Sequence, residues 1–197
     1  MEQQVGTKRH TIMNAAIVVF SQMGYHSSRV TDITKKANVA YGLFYHYFHS
    51  KDEILINIFQ ESWKNLLEGI DEIDKVYDNP VDKIKAVVKY SLRNYENYPE
   101  LLKVLIMDVP RLEKFYEKDN QKLYNAYFKK ISQIISKGQD EGCICRDTNP
   151  SVISYIILGS IDSVIRQYVY NSGVKKNLVS MSKIADQVIR VLLDGIL

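Results

Sequence analysis

The sequence predicts an all-α protein with an N-terminal three-helix helix-turn-helix head and a longer C-terminal helical body. Three observations carry this expectation. Breakers are scarce, with 4 Pro and 9 Gly in 197 residues, which favours long helices over many short strands. Apolar residues make up 46% of the chain and recur at three- and four-residue spacing, the signature of amphipathic helices. The stop and start residues also fall where that spacing lapses.

Thr7–Met23 reads as the first helix. Ile12, Ala15, Ala16, Val19, Phe20 and Met23 share one face, Thr7 is placed to cap its start, and Gly24 to end it. A short second helix follows, capped by Ser28, with Val30, Ile33 and Ala37 inward. Asn38 takes the turn, since after glycine it is the residue that best tolerates positive φ. A third short helix spans about Tyr41–Phe48, with Phe44 and Phe48 pointing inward. Ser50 caps the next, whose Asp52 and Glu53 suit the positive end of a helix dipole.

The body continues in long helices. The first runs from Asp52 to about Val76. Pro80 opens the next, to about Tyr98, and Pro99 a shorter one ending near Pro110. A long segment, about Arg111–Glu141, ends at Gly142. Pro150 starts an apolar helix to about Tyr170, closed by Asn171-Ser172-Gly173, and Asn177–Leu197 forms the last.

Charge separates the two parts. Residues 1–51 carry six basic and two acidic side chains, a net of +4, and all four histidines (His10, His26, His46, His49). The remaining 146 residues net −1. A small basic head on a near-neutral body is the pattern of a nucleic-acid reader joined to a second function. Cys143 and Cys145 make neither a disulfide framework nor a four-ligand zinc site. The N-terminus has no apolar signal core, and no uncharged 18-residue run offers a membrane span, so the chain reads as cytoplasmic.

The third helix carries the functional signal. Tyr41, Leu43, Tyr45, His46 and Tyr47 lie on or near its outer face. A merely solvated helix would carry Glu, Lys and Gln there. Phenol and imidazole groups reach phosphates, and their ring faces pack on sugars and thymine methyls. Gly42 is unfavourable inside a helix, which close approach to a DNA backbone would explain. As plain core, the run would not need so many polar-tipped rings.

The stretches Ser28-Arg29-Val30-Thr31-Asp32-Ile33 and Ala37 to Leu55, with Gly24-Tyr25 before them, resemble the DNA-binding domain of the TetR (tetracycline repressor-like) family. Asn38 departs from the family's usual Gly, and Leu43 from its frequent Thr. The resemblance implies a homodimer that binds double-stranded operator DNA and usually represses transcription. It also implies a partition into a DNA-binding domain (1–51) and a ligand-binding and dimerisation domain (52–197). Carried over by position, Ser28 caps the second helix and meets a phosphate, and Thr31 sits at the groove edge. Tyr41, Gly42 and Leu43 enter the major groove. Tyr45, Tyr47 and Lys51 bind phosphates. Lys8 and Arg9 are placed to reach the backbone or minor groove, whereas Phe20 and Tyr25 read as core.

In the body, Ile153, Ile156, Ile157, Ile161, Val164, Ile165, Tyr168 and Val169 on one helix, and Val188, Ile189, Val191, Leu192, Leu193 and Ile196 on the last, exceed one internal face. They suggest a four-helix bundle between subunits. Ten of the fourteen tyrosines lie in residues 52–197, a lining for an elongated apolar ligand. Asp108-Val109-Pro110-Arg111 and Gly159-Ser160-Ile161-Asp162 resemble the family branch that represses fatty-acid degradation and responds to long-chain acyl-CoA. That resemblance nominates Tyr90, Arg93, Arg111 and Tyr127 as ligand contacts, the arginines for CoA phosphates. Asp162 and Arg166, four apart, read as an ion pair. The rival effector class is lipophilic cations, as for a multidrug-efflux repressor, with Asp108 or Glu96 as counter-charge. The nucleophile-elbow, zincin, P-loop and dinucleotide motifs are all missing from the sequence, so a helical enzyme is the remote alternative, and neither a metal nor a resident cofactor is expected.

Overall fold

The computed structural model describes residues 2–171 and 180–194, with side chains from residue 8 onward. Among the described residues the chain is helical and contains no strand. The helices are α1 (Glu2–Met23), α2 (Val30–Ala37), α3 (Tyr41–Tyr47), α4 (Lys51–Val76), α5 (Pro80–Asn97), α6 (Pro99–Met107), α7 (Lys118–Asp140), α8 (Pro150–Tyr170) and α9 (Met181–Asp194). Two 3-10 turns, Val109–Arg111 and Glu113–Tyr116, separate α6 from α7.

Local chemistry sets the element ends. Among the described residues Gly24 (φ 80°), Asn38 (φ 52°) and Gly142 (φ 75°) have positive φ, each at a helix end where left-handed backbone releases the next segment. Ser50 Oγ accepts from Glu53 N at 3.1 Å and caps α4. The two Asn-Pro pairs work alike. Asn79 Oδ1 accepts from Val81 N, and Asn149 Oδ1 from Ser151 N, both at 2.8 Å, with proline in the first turn.

Three expected boundaries move. α1 begins at Glu2, so Thr7 lies within the helix and does not cap it. The segment expected as one helix from Arg111 breaks into the 3-10 turns before α7 begins. Pro110 removes a backbone donor there, and Leu112 and Phe115, three apart, both turn into the core, a spacing that 3-10 geometry aligns. The last helix is α9 from Met181; Ser172-Gly173, Asn177 and Ile196 lie outside the described residues.

Two compact units form, Met1–Ser62 with Glu100–Asn120, and Trp63–Pro99 with Gln121–Leu197. Compactness therefore draws its line elsewhere than at residue 51. α4 contributes to both units, and the segment after Pro99 packs with the helix-turn-helix. In the first unit α1 packs on α2 and α2 on α3, around Ile12, Ala16, Phe20, Ile33, Phe44, Phe48, Ile54 and Leu55. Phe59 of α4 meets Phe115 edge-on at 5.2 Å. Gln60 Nε2 donates to Asn120 Oδ1 (2.7 Å), and Lys103 Nζ of α6 donates to Ser21 O at the end of α1 (2.6 Å).

In the second unit α5 packs on α8 and α9. Ile84, Val87, Val88 and Leu92 are buried on α5, and Ile153, Ile157, Ile161, Ile165 and Val169 form a buried stripe on α8. Ala185, Ile189, Leu192 and Leu193 are the buried side of α9. These residues are internal core, which corrects much of the expected subunit interface. The spacing of α8 supports two apolar faces, and the inner one takes the i, i+4 isoleucines. Among the described residues Val152, Tyr155, Ile156, Tyr170 and Val191 are the large apolar side chains left exposed on these two helices. α8 is long and apolar enough by length and composition to cross a membrane, with a mean hydropathy of 1.2. It also carries the expected ion pair, Arg166 Nε to Asp162 Oδ2 at 2.7 Å.

The ring of Tyr90 lies directly on the backbone of α4 at Gly69, where an added Cβ would overlap its Cζ and hydroxyl. Gly69→Ala should therefore destabilise the protein by about 1–3 kcal/mol, as overpacking does. In urea denaturation the loss should shrink in the Gly69→Ala/Tyr90→Ala double variant relative to Tyr90→Ala alone, because the clashing ring is gone.

Candidate nucleic-acid interface

α3 starts after Ala40, which is extended (φ −63°, ψ 142°), and ends at Phe48. Phe44 and Phe48 are buried at 0% and 1% exposure. Their inward direction leaves Tyr41 and Tyr45 pointing out, at 52% and 43% exposure. Gly42 is exposed and Leu43 and Tyr47 half-buried. A Cβ added at Gly42 would meet nothing within 4 Å, so no contact inside the protein requires glycine there.

Tyr41 and Tyr45 form one aromatic pair. Their rings meet edge-on at 5.3 Å, and their hydroxyl oxygens are 3.1 Å apart in a hydrogen bond. That bond is the main cause holding the Tyr45 phenol above its ordinary pKa. Tyr45 also rests edge-on against Phe44 at 5.3 Å, and Tyr47 against His46 at 4.8 Å. Beside this helix Thr31, Thr34, Lys35, Asn38, Val39, Ala40 and Tyr41 line a concavity of about 650 Å³. Thr31 and Tyr41 were anticipated there. Lys35 and Asn38 were not nominated, although Lys35 stands one helical turn after Thr31. Chemically the surface offers hydroxyl donors, an ammonium and ring faces, a set suited to phosphates and base edges.

Ser28 does not cap α2. It is buried, and its Oγ donates to Tyr25 O at 2.7 Å. The cap position is Arg29, whose N–H donates to Asp32 Oδ2 at 2.8 Å. A hydroxyl aimed back at the i−3 carbonyl competes with capping, and an acid at the third helical position reaches back instead.

Lys51 is turned inward. Its Nζ donates to Tyr25 O (2.5 Å) and Ser28 O (2.8 Å) and lies 4.4 Å from the centre of the Tyr25 ring. Burial lowers its pKa, and the Asp108 carboxylate acts against that shift. The Tyr25 hydroxyl bonds Asp52. Two of the ammonium's three donors are thus occupied by the α1–α2 turn, leaving one for a phosphate. Arg9 is likewise engaged internally. It pairs with Glu61, donates to Asn57 Oδ1 at 2.6 Å and covers the Phe48 ring at 5.3 Å. Lys8 is exposed.

The nominated ligand residues divide between the units. Tyr90, Arg93 and Tyr127 belong to the second, and Arg111 to the first. Arg93 and Arg111 are exposed, and Tyr90 donates to Asn65 O at 3.3 Å. Tyr127 is fully buried, and among the described residues neither its hydroxyl nor that of Ser91 has a hydrogen-bond partner. Burial pushes the Tyr127 phenol far above its ordinary pKa, so it stays protonated. Around it Trp63 stacks on Tyr124 at 5.1 Å, and Tyr124 and Tyr127 each meet Phe128 edge-on at 5.3 and 5.6 Å. Trp63, Tyr124 and Phe128 were not nominated, although Tyr124, Tyr127 and Phe128 stand three and four apart on α7, a visible aromatic face.

Residues 12–58 match the family described as bacterial regulatory proteins, tetR family, and residues 59–195 match the C-terminal region of YsiA-like proteins. The chain belongs to the TetR family. It is a ligand-responsive, DNA-binding transcription regulator and not an enzyme, and regulators of this family bind DNA as dimers. The fatty acid metabolism regulator protein of Bacillus subtilis (strain 168) is 30% identical over 98% of both chains. The crystal structure of FadR from Bacillus subtilis with stearoyl-CoA shares the fold at a TM-score of 0.84, with 24% identity, covering 95% of this chain and 99% of that one. A Clostridium perfringens putative fatty acid metabolism regulator matches at a TM-score of 0.77 and 27% identity, covering 95% and 98%.

In this TetR-family regulator Arg9 braces α1 against α4. Its partners are part-exposed, so after solvent screening Arg9→Ala should lose about 1–2 kcal/mol of stability. The salt dependence of DNA binding should stay as in the wild type, because no phosphate contact is removed. Equilibrium denaturation and fluorescence anisotropy across a salt series check both outcomes.

Proposed function

We propose that this regulator is a cytoplasmic repressor that reads a palindromic operator with α3 of each subunit and is released by a long-chain acyl-CoA. Residues 1–51 serve DNA and residues 52–197 serve ligand and dimer. The observation that carries the DNA reading is the outward pair Tyr41 and Tyr45, fixed by two fully buried phenylalanines, with the half-buried Tyr47 beside them. Thr31 lies at the edge of the same surface, and Gly42 and Leu43 sit where a groove wall would approach. Ser28, whose backbone N–H donates to Gly24 O and whose carbonyl accepts from Lys51, contributes by holding that lysine, and Lys51 contributes through its remaining donor.

Acyl-CoA is favoured by the apolar and aromatic interior of the second unit and by the relative that shares 30% identity over nearly the whole chain. Stearoyl-CoA is the ligand of the Bacillus subtilis FadR structure. The orphaned hydroxyls of Tyr127 and Ser91 suit a long chain that carries one polar group, such as a thioester, because buried polar atoms without partners cost stability unless a ligand or water meets them. Arg93, on the second unit, is exposed and able to meet CoA phosphates. A cationic effector is disfavoured at Asp108, which already lies in the field of Arg111, His26, Lys103 and Lys51. Tyr155, Ile156 and Val152 of α8, with Val191 of α9, supply the outward apolar face for a subunit partner.

Operator binding should weaken with salt by a log–log slope of about −0.9 per neutralised phosphate, and Lys51→Met should reduce the slope by about 1 per lost contact. Micromolar acyl-CoA of long chain, but not free CoA or short-chain acyl-CoA, should release the DNA in the same assay. Indifference to chain length would reject the effector. Tyr127→Phe separates the two roles. Without effector it should match or exceed wild-type stability, by up to about 1 kcal/mol, since an unsatisfied group is removed, while its acyl-CoA affinity falls.

A further inference from the structure

We propose that Asn38 is a specificity-determining residue for operator recognition: from the turn between α2 and α3, its free carboxamide reads an adenine in the major groove. The inference rests on the reading of α3 as the DNA-facing helix.

Asn38 stands in left-handed backbone at φ 52°. That region favours glycine, and the two other positive-φ positions among the described residues, Gly24 and Gly142, are glycines. The turn makes no use of the asparagine side chain. Asn38 N–H donates to Lys35 O at 3.2 Å, and Val39 N–H to Thr34 O at 3.1 Å, so main-chain bonds alone close the end of α2. The residue is exposed. Among the described residues its carboxamide makes no hydrogen bond, either to its own backbone or to a neighbour.

The place of that spare group is informative. Asn38 lines the concavity of about 650 Å³ together with Thr31, Lys35 and Tyr41. Thr31, Lys35 and Asn38 follow each other at spacings of four and three, one face of α2 carried on into the turn. Tyr41 is the first residue of α3. The face of α2 therefore adjoins the N-terminal end of the reading helix, the end that helix-turn-helix proteins turn toward base edges.

Few polar groups are available there. Ala40, Gly42 and Leu43 carry no hydrogen-bonding side chain. The Tyr41 hydroxyl is bonded to that of Tyr45, and Thr34 Oγ1 donates back to Thr31 O at 3.2 Å. The Thr31 hydroxyl, the Lys35 ammonium and the Asn38 carboxamide remain. Only the carboxamide presents a donor and an acceptor on separate atoms. Adenine is its complement, with N7 accepting and the N6 amino group donating on one major-groove edge. Guanine shows two acceptors on that edge and would set one against the carboxamide oxygen. Glycine at position 38 would form the same turn and read nothing.

The test uses the full-length protein, duplexes enriched from a random pool by the wild type and by Asn38→Gly, and a scrambled duplex of equal length. The wild-type pool should fix an A·T pair in each half-site at a position where the Asn38→Gly pool shows no preference. Asn38→Gly should bind the wild-type duplex roughly 5- to 100-fold more weakly, the range of a lost bidentate base contact, and the scrambled duplex unchanged. Its melting temperature should hold, since glycine suits the turn. Asn38→Asp tolerates the same backbone but cannot donate to N7, and should lose the adenine preference too. Replacing the selected adenine by 7-deazaadenine should weaken the wild type roughly 3- to 30-fold, by loss of one hydrogen bond and an unpaired amide. Asn38→Gly should bind the 7-deaza and natural duplexes equally. An unchanged base preference in the Asn38→Gly pool would overturn the inference and leave Asn38 a turn residue. Equal weakening on enriched and scrambled duplexes would also overturn it, as the mark of a phosphate contact, and so would additive effects of Asn38→Gly and 7-deazaadenine. A wild type that enriches no duplex strikes the α3 reading and this inference with it, whereas enrichment that is indifferent to Asn38 strikes this inference alone.

Discussion

Phe44 and Phe48 sit four residues apart with at most 1% of their surface exposed, and their burial fixes the rotation of α3 about its axis. Each anchor is worth about 1.5–3 kcal/mol of apolar burial. A rotation that hid Tyr41 and Tyr45 would expose both phenylalanines, so the tyrosine row stays outside. Everything proposed for the head depends on that one rotation. The hydroxyl pair at 3.1 Å, the position of Gly42 and the concavity beside Thr31 all follow from which way two rings point.

A second theme is that basic residues near the reading surface are engaged with the protein itself. Arg9 serves Glu61, Asn57 and Phe48; Lys51 and Lys103 serve carbonyls at the α1–α2 corner. The head's positive charge therefore does two jobs. Part of it holds the three helices of the head together, in a unit too small to rely on apolar area alone. The rest, on Lys8, Arg29, Lys35 and Lys36, is exposed and supplies the long-range field.

Much of this was legible in the residues. Asn38 and Gly24 announced their left-handed turns, and Pro80, Pro99 and Pro150 announced helix starts, because those residues act through their own backbones. Phe44 and Phe48 were legible because i, i+4 aromatics on a short helix have one way to pack. What stayed hidden was every feature that depends on a distant partner. Ser28 turned to a carbonyl and not to the next helix. Lys51 found Tyr25 and Ser28, a choice that no local spacing encodes. Leu112 and Phe115 went to the first unit and broke an expected long helix. On α8 the isoleucines at positions 153, 157, 161 and 165 looked surplus to one face, and their partner turned out to be α5 of the same chain. The tyrosine and arginine positions nominated for ligand rest on resemblance, and only Tyr127, with its buried and unpartnered hydroxyl, gains a physical reason from the fold.

The central claim is that the outward tyrosines of α3 are the reading surface. Fluorine NMR of the protein labelled with 3-fluorotyrosine, titrated with an enriched duplex, tests it directly. Resonances of Tyr41, Tyr45 and Tyr47, assigned by single Tyr→Phe variants, should shift at stoichiometric DNA more than any of the other tyrosine signals. Unshifted α3 tyrosines in a saturated, sequence-specific complex would contradict the account.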